Sequence, residues 1–280
     1  MTPPSKKSCS RCFGEGVLLT PAGSVVQANL CDCVKVCEEC HGSRFLFTRN
    51  ARGQEEARPC GCETRRLRVR LYNQAGVPAR FVNAQLTESQ RDPGNFHAFN
   101  TFNLMAKNFT RGQKGILLMG RAGVGKTHLM AAFIREIIFH HGVGVIFQDF
   151  SGLLKQLRST YARGEPEEAL IDPLNQVDVL MVDELGKGRN SEWELTVLDM
   201  LISHRYNARK TTLFTTNYTD RADTTLSERV RGKDRIEEEK VIRDTLTDRV
   251  GTRIHSRLKE MCDFVMLEGV DRREREAVGG

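Results

Sequence analysis

The sequence predicts an α/β protein whose parallel sheet is covered by helices on both faces, with a small cysteine-rich module before it. From about residue 77, short β-rich runs alternate with longer helical patterns, which is typical of such a sheet. A glycine-rich loop lies between an apolar strand and an apolar-striped helix. Eight of the nine cysteines fall within residues 9–62, which indicates a separate module.

Size and charge restrict the class of protein. A chain of 280 residues can hold one α/β domain and a small module. No apolar run approaches the ~20 residues that span a membrane, and no apolar stretch follows the basic N-terminal residues 1–7, so we expect a cytoplasmic protein without a membrane partner. The formal charge of +6 would fall to about +2 with two zinc ions on eight thiolates, so net charge supports nucleic-acid binding only weakly. The basic stretch 65–70 is either a nucleic-acid contact or a solvated face.

The cysteines form two copies of one unit. In each copy a Cys-x-x-Cys pair is followed by a Cys-x-Cys pair, and the pattern repeats after 28 or 29 residues. Gly14 and Gly42 suit the sharp turn that lets two nearby thiolates reach one ion, and the apolar run after each turn predicts a hairpin that returns the second pair to the metal. Each unit then supplies a closed structural site, for two zinc ions per chain; unligated thiols are the alternative. The predicted ligands are Cys9, Cys12, Cys31, Cys33, Cys37, Cys40, Cys60 and Cys62.

How the pairs combine is open at this stage. The pattern Cys-x-x-Cys-x-Gly-x-Gly at residues 9–16 resembles the cysteine-rich domain of DnaJ chaperones, and in that family the repeats nest. Nesting would join Cys9 and Cys12 with Cys60 and Cys62. The tandem repeat favours sequential pairing within each copy instead.

A phosphate-binding loop follows the strand Gly115–Met119. Its glycines let backbone amides surround phosphates, Lys126 reaches the β- and γ-phosphates, and Thr127 binds Mg²⁺ at the start of the helix 128–138. The pattern therefore predicts ATP and Mg²⁺ as ligands. The predicted nucleotide-binding residues are Gly120, Arg121, Ala122, Gly123, Val124, Gly125, Lys126, Thr127 and His128.

Two further strands end in polar side chains. The apolar strand Val177–Val182 leads into Asp183, which is placed to hold Mg²⁺, and Glu184, which can polarise the attacking water. The strand Thr212–Thr216 leads into Asn217, which can orient that water or simply cap a turn. Two more strands are predicted at Val143–Phe147 and Phe264–Leu267.

These elements, in this order, resemble the AAA+ ATPases, and among them the DnaC/DnaI helicase loaders and the IstB transposition ATPases. The resemblance covers about two thirds of the chain, from Val77 to Arg273. The matching segments are Val77–Phe81, Gly120–His128, Val182–Gly186, Thr216–Asn217, Arg253–Leu258 and Gly269–Arg273.

The resemblance implies roles for several residues. Asn217 would be sensor 1, and Arg257 would be the arginine finger that reaches a neighbouring subunit, with Arg253 assisting or exchanging roles with it. Arg273 would be the sensor-2 arginine, with Arg272 as a rival. A finger acting in trans implies self-assembly and poor hydrolysis by isolated monomers.

The resemblance also implies partners. DnaI-type loaders carry an N-terminal zinc domain that contacts the helicase, although theirs is single, whereas IstB-type proteins typically lack one. In the family the region that corresponds to 147–177 is helical and can carry an insertion that meets single-stranded DNA, and in this chain a basic loop also follows Glu184. A solvated surface explains both features nearly as well. The candidate DNA contacts are Lys155, Arg158, Tyr161, Arg163, Lys187 and Arg189.

We therefore predict three regions: a zinc-binding module at residues 1–66, a basic linker at 67–76 and an AAA+ ATPase domain at 77–280. The expected function is an ATP-switched loader of a replicative helicase. The nearest alternative is a transposition or phage recombination ATPase that partners a transposase. A DnaJ-like chaperone lacks support because no His-Pro-Asp motif occurs, and a zinc-containing metabolite kinase is disfavoured by Glu184, since small-molecule P-loop kinases usually lack that glutamate.

Overall fold

A computed structural model of the chain describes residues 9–34, 36–86, 94–189, 191–220, 244–269 and 271. The chain divides into two compact units. One unit comprises residues 1–86 and 131–146, and the other comprises 87–130 and 147–280. Within the described ranges, no helix combines the length and the apolar composition that crossing a membrane requires.

Two antiparallel hairpins begin the first unit, and each directly follows a Cys-x-x-Cys turn, as predicted. Each chain reversal contains a glycine with positive φ, Gly23 in the first hairpin and Gly53 in the second. In the first hairpin Val26 and Ala28 are buried at alternate positions, while both strands of the second are almost wholly exposed. The strands are β1 (Val17–Ala22), β2 (Val25–Leu30), β3 (Phe45–Arg49) and β4 (Glu55–Pro59).

Helix α1 (Gly61–Ala75) contains most of the segment 67–76 that the sequence predicts as a linker. The segment is helical because it has no proline and no interior glycine, and Gly76 then ends the helix in the left-handed conformation. The side chain of Asn73 bonds to the backbone N–H and C=O of Ala28, at 2.6 and 3.0 Å. The helix is thus fastened to the first hairpin.

Five strands form a parallel sheet of the kind found in AAA+ P-loop domains: β5 (Gly115–Met119), β6 (Val145–Asp149), β7 (Val179–Asp183), β8 (Thr211–Thr216) and β9 (Cys262–Met266). Their order across the sheet is β6-β7-β8-β5-β9. The sheet confirms the strands predicted from sequence to within two residues at either end. Gly115 is required in β5, because a Cβ there would lie 1.7 Å from the carbonyl oxygen of Thr212 on β8.

The strand order places β8 between β5 and β7, so three strand ends meet at one edge of the sheet. Cys262, expected to be a core thiol, is buried at the start of β9, and burial raises its pKa. The other helices are α2 (Phe96–Lys107), α3 (Lys126–His141), α4 (Phe150–Ala162), α5 (Glu168–Gln176), α6 (Glu192–Asn207), α7 (Leu246–Val250) and α8 (Thr252–Met261).

Arg205 on α6 is a fully buried cation, with 0% of its surface exposed. Its guanidinium donates to the carbonyl oxygens of Leu174 and Thr211 at 2.6 and 2.7 Å, and to the hydroxyl of Thr212 at 2.8 Å. Burial lowers its pKa to about 10, so it stays charged at neutral pH. It joins α6 to β8 and to the end of α5.

Candidate functional site

The eight N-terminal cysteines form two clusters. The sulfur atoms within each cluster all lie within 4.8 Å of one another. The closest S–S distances, 3.5 to 3.8 Å, suit four thiolates on one Zn²⁺, because ~2.3 Å bonds in a tetrahedron place sulfurs about 3.8 Å apart. The grouping is sequential, not nested: Cys9, Cys12, Cys31 and Cys33 form one cluster, and Cys37, Cys40, Cys60 and Cys62 form the other.

Backbone N–H groups and neighbouring sulfurs shift the pKa values of the cysteine thiols. Backbone hydrogen bonds from Arg11 and Cys12 lower the pKa of the Cys9 thiol to about 7. Hydrogen bonding with Cys31 raises the pKa of Cys33 to about 12. A bound cation favours the thiolate at every position, so metal binding and proton release are coupled in these clusters.

Lys126 lies at the centre of the phosphate-binding loop and is only 8% exposed. Its ammonium donates to the backbone carbonyls of Gly120 and Arg121 at 2.7 and 2.8 Å, and to the side-chain oxygen of Asn217 at 2.7 Å. The phosphate-binding loop and the end of β8 therefore meet at the ammonium nitrogen of Lys126, as expected for groups that contact the same phosphate.

The carboxyl group of Asp271 lies against the same loop. Gly123 has a φ of +82°, and a Cβ added there would lie 2.0 to 2.2 Å from the carboxyl group of Asp271. Only glycine permits this approach. The loop thus has the shape and polarity to accept an oxyanion, which is what a nucleotide phosphate presents.

Thr127 and Asp183 form the second part of the site. The Thr127 hydroxyl donates to a carboxylate oxygen of Asp183 at 3.0 Å, and Thr215 on β8 donates to the same oxygen. These are hard oxygen donors of the type that Mg²⁺ prefers, so the set fits that ion. Thr215 also accepts a hydrogen bond from the backbone N–H of Glu184, at 3.0 Å. The sequence analysis assigned no role to Thr215; its position near the end of a predicted strand, two residues before Asn217, was the available signal.

Glu184 has a left-handed backbone, with a φ of +61°, which is uncommon for a residue with a side chain. Its carboxylate pairs with the ammonium of Lys187 at 2.6 Å. This hydrogen bond raises the pKa of Lys187. The candidate base is therefore engaged by a cation three residues later, a contact that the sequence analysis missed.

A small depression of about 20 Å³, with polar and apolar side chains in its wall, adjoins the loop. It has room for about one water molecule. His128, predicted as a nucleotide-binding residue, lies on its wall. The lining consists of Asn95, Phe99, Val124, Gly125, His128, Leu129 and Leu267.

The two candidate finger arginines share one carboxylate. Arg257, 22% exposed, pairs with Asp199 at 2.6 Å and donates to Ser203 at 2.5 Å. Arg253, 73% exposed, lies 3.5 Å from the other oxygen of Asp199. Arg272 and Arg273, the sensor-2 candidates, lie outside the described residues.

Most candidate DNA contacts are exposed but already paired. Arg158 pairs with Glu194 at 2.9 Å and lies over the ring of Trp193. Arg163 pairs with Glu165 at 2.7 Å. The hydroxyl of Tyr161 donates to Glu167, and Lys187 pairs with Glu184. The other two candidates, Lys155 and Arg189, have no carboxylate partner among the described residues.

Comparisons with known proteins identify the region that holds this site. Residues 98–230 match the profile of the family described as IstB-like ATP binding protein. The replicative helicase loader DnaC of Escherichia coli (strain K12) is 23% identical over 179 residues, which is 63% of this chain and 73% of the loader. A crystal structure of the DnaC helicase loader aligns with a TM-score of 0.54 and 26% identity over 68% of this chain and 99% of that chain. A crystal structure of DnaI aligns with a TM-score of 0.52 and 22% identity over 70% of this chain and 94% of that chain.

Residues 98–230 are thus similar to the IstB-like ATP binding proteins, and the chain is similar to DnaC and DnaI at modest identity.

Proposed function

We propose that this protein is an ATP-dependent loader of a replicative DNA helicase, an AAA+ switch that binds ATP, single-stranded DNA and the helicase. The similarity to DnaC, which extends over 73% of that loader, carries this proposal. The meeting of Lys126, Asp183 and Asn217 at one edge of the sheet supports ATP as the ligand that drives the switch.

ATP hydrolysis follows from the chemistry of these groups. Lys126 binds the phosphates, and Asn217 orients the γ-phosphate or the attacking water. Glu184 accepts a proton from that water while the water oxygen forms a bond to the γ-phosphorus. The bond between the γ-phosphorus and the β-phosphate oxygen breaks, and ADP leaves. Thr127 and Asp183 would hold Mg²⁺, which neutralises charge that develops on the phosphates.

Self-assembly completes the proposed site. Asp199 holds Arg257 and Arg253 within one subunit. In an assembly one of these arginines turns to the nucleotide of the neighbour, and the more exposed Arg253 needs the smaller rearrangement. Arg273 is proposed as the sensor-2 residue, on the resemblance alone.

Single-stranded DNA is proposed to bind the surface of α4 and the loop after β7. Lys155 and Arg189 are the strongest candidates, because both are exposed and have no carboxylate partner among the described residues. Arg158 and Tyr161 adjoin Trp193, and this aromatic and cationic group suits stacking with bases.

The zinc module is proposed to contact the helicase. Phe45 and Phe47 are both exposed and project from the same face of β3, and Phe13, in the first cysteine turn, is also exposed. Exposed aromatic side chains of this kind are typical anchors of protein interfaces.

Pull-down of the host's replicative helicase by the full chain tests the proposal. We expect the wild type and a Leu104→Ser control, which changes an exposed apolar residue of the other unit, to capture the helicase. A Phe45→Ser/Phe47→Ser variant with normal zinc content should capture at least tenfold less. Failure of the wild type to bind the helicase would reject the loader function, and equal capture by all three proteins would reject the role of the zinc module.

The second candidate is an IstB-like transposition or phage recombination ATPase. The match of residues 98–230 to the IstB-like family favours it. The same pull-down with a transposase in place of the helicase distinguishes the two functions.

A further inference from the structure

A cavity of about 360 Å³ lies within the first unit, and no residue of the nucleotide loop lines it. Its walls come from β1, the cysteine turn before β1, α1 and the C-terminal half of α3. The volume falls in the ~300–1,000 Å³ range of small-molecule sites. Ionisable and apolar side chains share the lining, so a ligand can find both kinds of contact there.

The acidic groups of the cavity are already paired. Arg135, whose side chain is 10% exposed, donates to both carboxylate oxygens of Glu15, at 2.9 and 2.7 Å. Glu136 lies 3.0 Å from the ring of His140. A two-pronged guanidinium–carboxylate pair fixes the orientation of both partners, so this side of the cavity is preorganised.

Two arginines of α1 supply the remaining positive charge. Arg68 donates from Nη2 to the backbone oxygen of His140 at 3.0 Å, but its Nε is buried and has no hydrogen-bond partner among the described residues. Arg65 lines the same cavity and has no ion pair within the described ranges. A buried N–H donor without a partner is unfavourable, and an oxyanion in the cavity would satisfy it.

We infer that this cavity binds a small phosphorylated molecule of mononucleotide size, with its phosphate on Arg65 and Arg68. The guanidinium fork matches the spacing of phosphate oxygens. Val17, Leu19 and Phe139 line the cavity as well and provide an apolar surface for the rest of the ligand. A nucleic-acid strand fits less well, because a cavity of this size with two carboxylates in its wall does not accommodate an extended polyanion.

Calorimetric titration of the zinc-loaded full chain tests this inference, with AMP and inorganic phosphate as the probes. All proteins carry Lys126→Ala to suppress phosphate binding at the nucleotide loop. We expect one AMP site per chain, with inorganic phosphate binding more weakly. Arg65→Gln and Arg68→Gln should each weaken AMP binding at least tenfold.

Arg70→Gln is the matched control. It removes the same charge from the same helix, but Arg70 is exposed, pairs with Glu63 and does not line the cavity. If Arg68→Gln fails to fold, Arg65→Gln carries the test. Absence of AMP binding, equal affinity in all variants, equal affinity for AMP and phosphate, or tighter binding of an oligo-dT strand through these arginines would each overturn the inference.

Discussion

At the scale of single residues, the ion pair of Glu184 bears directly on its proposed role as the base in ATP hydrolysis. The ion pair with Lys187 competes with the water that Glu184 would deprotonate. An exposed pair of this type contributes about 0.2–1 kcal/mol, which corresponds to about 1.4- to 5-fold in rate. Lys187→Ala should therefore raise basal ATP hydrolysis by about that factor. Arg189→Ala is the control, and a rate unchanged or lowered by Lys187→Ala would contradict this role.

Glu184→Gln tests the base itself. The amide keeps the size of the side chain but accepts no proton from water. We expect ATP binding to persist while turnover falls by about 10²–10⁴-fold. Equilibrium binding of ATP and single-turnover hydrolysis separate the two effects, and undiminished hydrolysis would exclude Glu184 as the base.

The sequence predicts only part of this site. The sequence analysis assigned Thr127 and Asp183 to Mg²⁺ and Asn217 to the attacking water, and the structure brings these residues to one edge of the sheet. The Lys187 contact was not predicted, and neither was the left-handed backbone of Glu184, which is uncommon for a residue with a side chain. The ion pair between Asp199 and Arg257 could not be predicted either, because the two residues lie on different helices and are 58 positions apart in the sequence.

At the scale of elements, strands were easier to predict than helix ends. The runs of β5, β7 and β8 are short, β5 is followed by a glycine and the other two end in polar residues, so their limits are visible in the sequence. Most of the segment predicted as a basic linker lies in helix α1, whose arginines fit a solvated linker or a helix face equally well, and contacts such as that of Asn73 with the first hairpin hold the helix in place. Tertiary contacts of this kind leave no periodic signal.

Arg205 should be essential to the packing of α6. Arg205→Met would leave several buried carbonyl oxygens without a donor, each costing about 1–3 kcal/mol, so we expect a loss of about 3 kcal/mol or more in the free energy of unfolding. Urea unfolding measures it, with His204→Gln, an exposed change on the same helix, as the control. A loss below about 1 kcal/mol in the unfolding free energy of Arg205→Met would show that water replaces the guanidinium as the donor to these carbonyl oxygens.

Helix α8 carries a pH-dependent contact. Partial burial opposes ionisation of Asp220, but hydrogen bonds from His255 at 2.6 Å and Lys259 at 3.3 Å outweigh it and lower its pKa. A lowered folded-state pKa contributes stability above the unfolded value of about 4, which is lost as pH falls further. Asp220→Asn should thus lose less unfolding free energy than the wild type between pH 5 and 3. Parallel losses in the two proteins would contradict this.

At the scale of the whole molecule, the cysteine clusters should determine whether the N-terminal hairpins are folded. An isolated two-stranded hairpin is only marginally stable in water, so these hairpins need a further cross-link such as a bound metal ion. The cysteine thiols lose their protons when they bind zinc, so the binding free energy contributes to folding. Metal analysis should find about two zinc per chain, and Cys40→Ser should reduce this to about one while the first cluster keeps its ion. One zinc or none in the wild type would refute the duplicated site.

The carboxylate of Asp271 lies against Gly123 of the phosphate-binding loop. A nucleotide phosphate bound at this loop and this carboxylate would both be anions at the same glycine, so entry of the phosphate would require the carboxylate to leave. The observed affinity for ATP would then be the intrinsic affinity multiplied by the fraction of molecules in which the aspartate has left. If the loop binds ATP as proposed, the position of this one side chain would set the ATP concentration at which the protein responds.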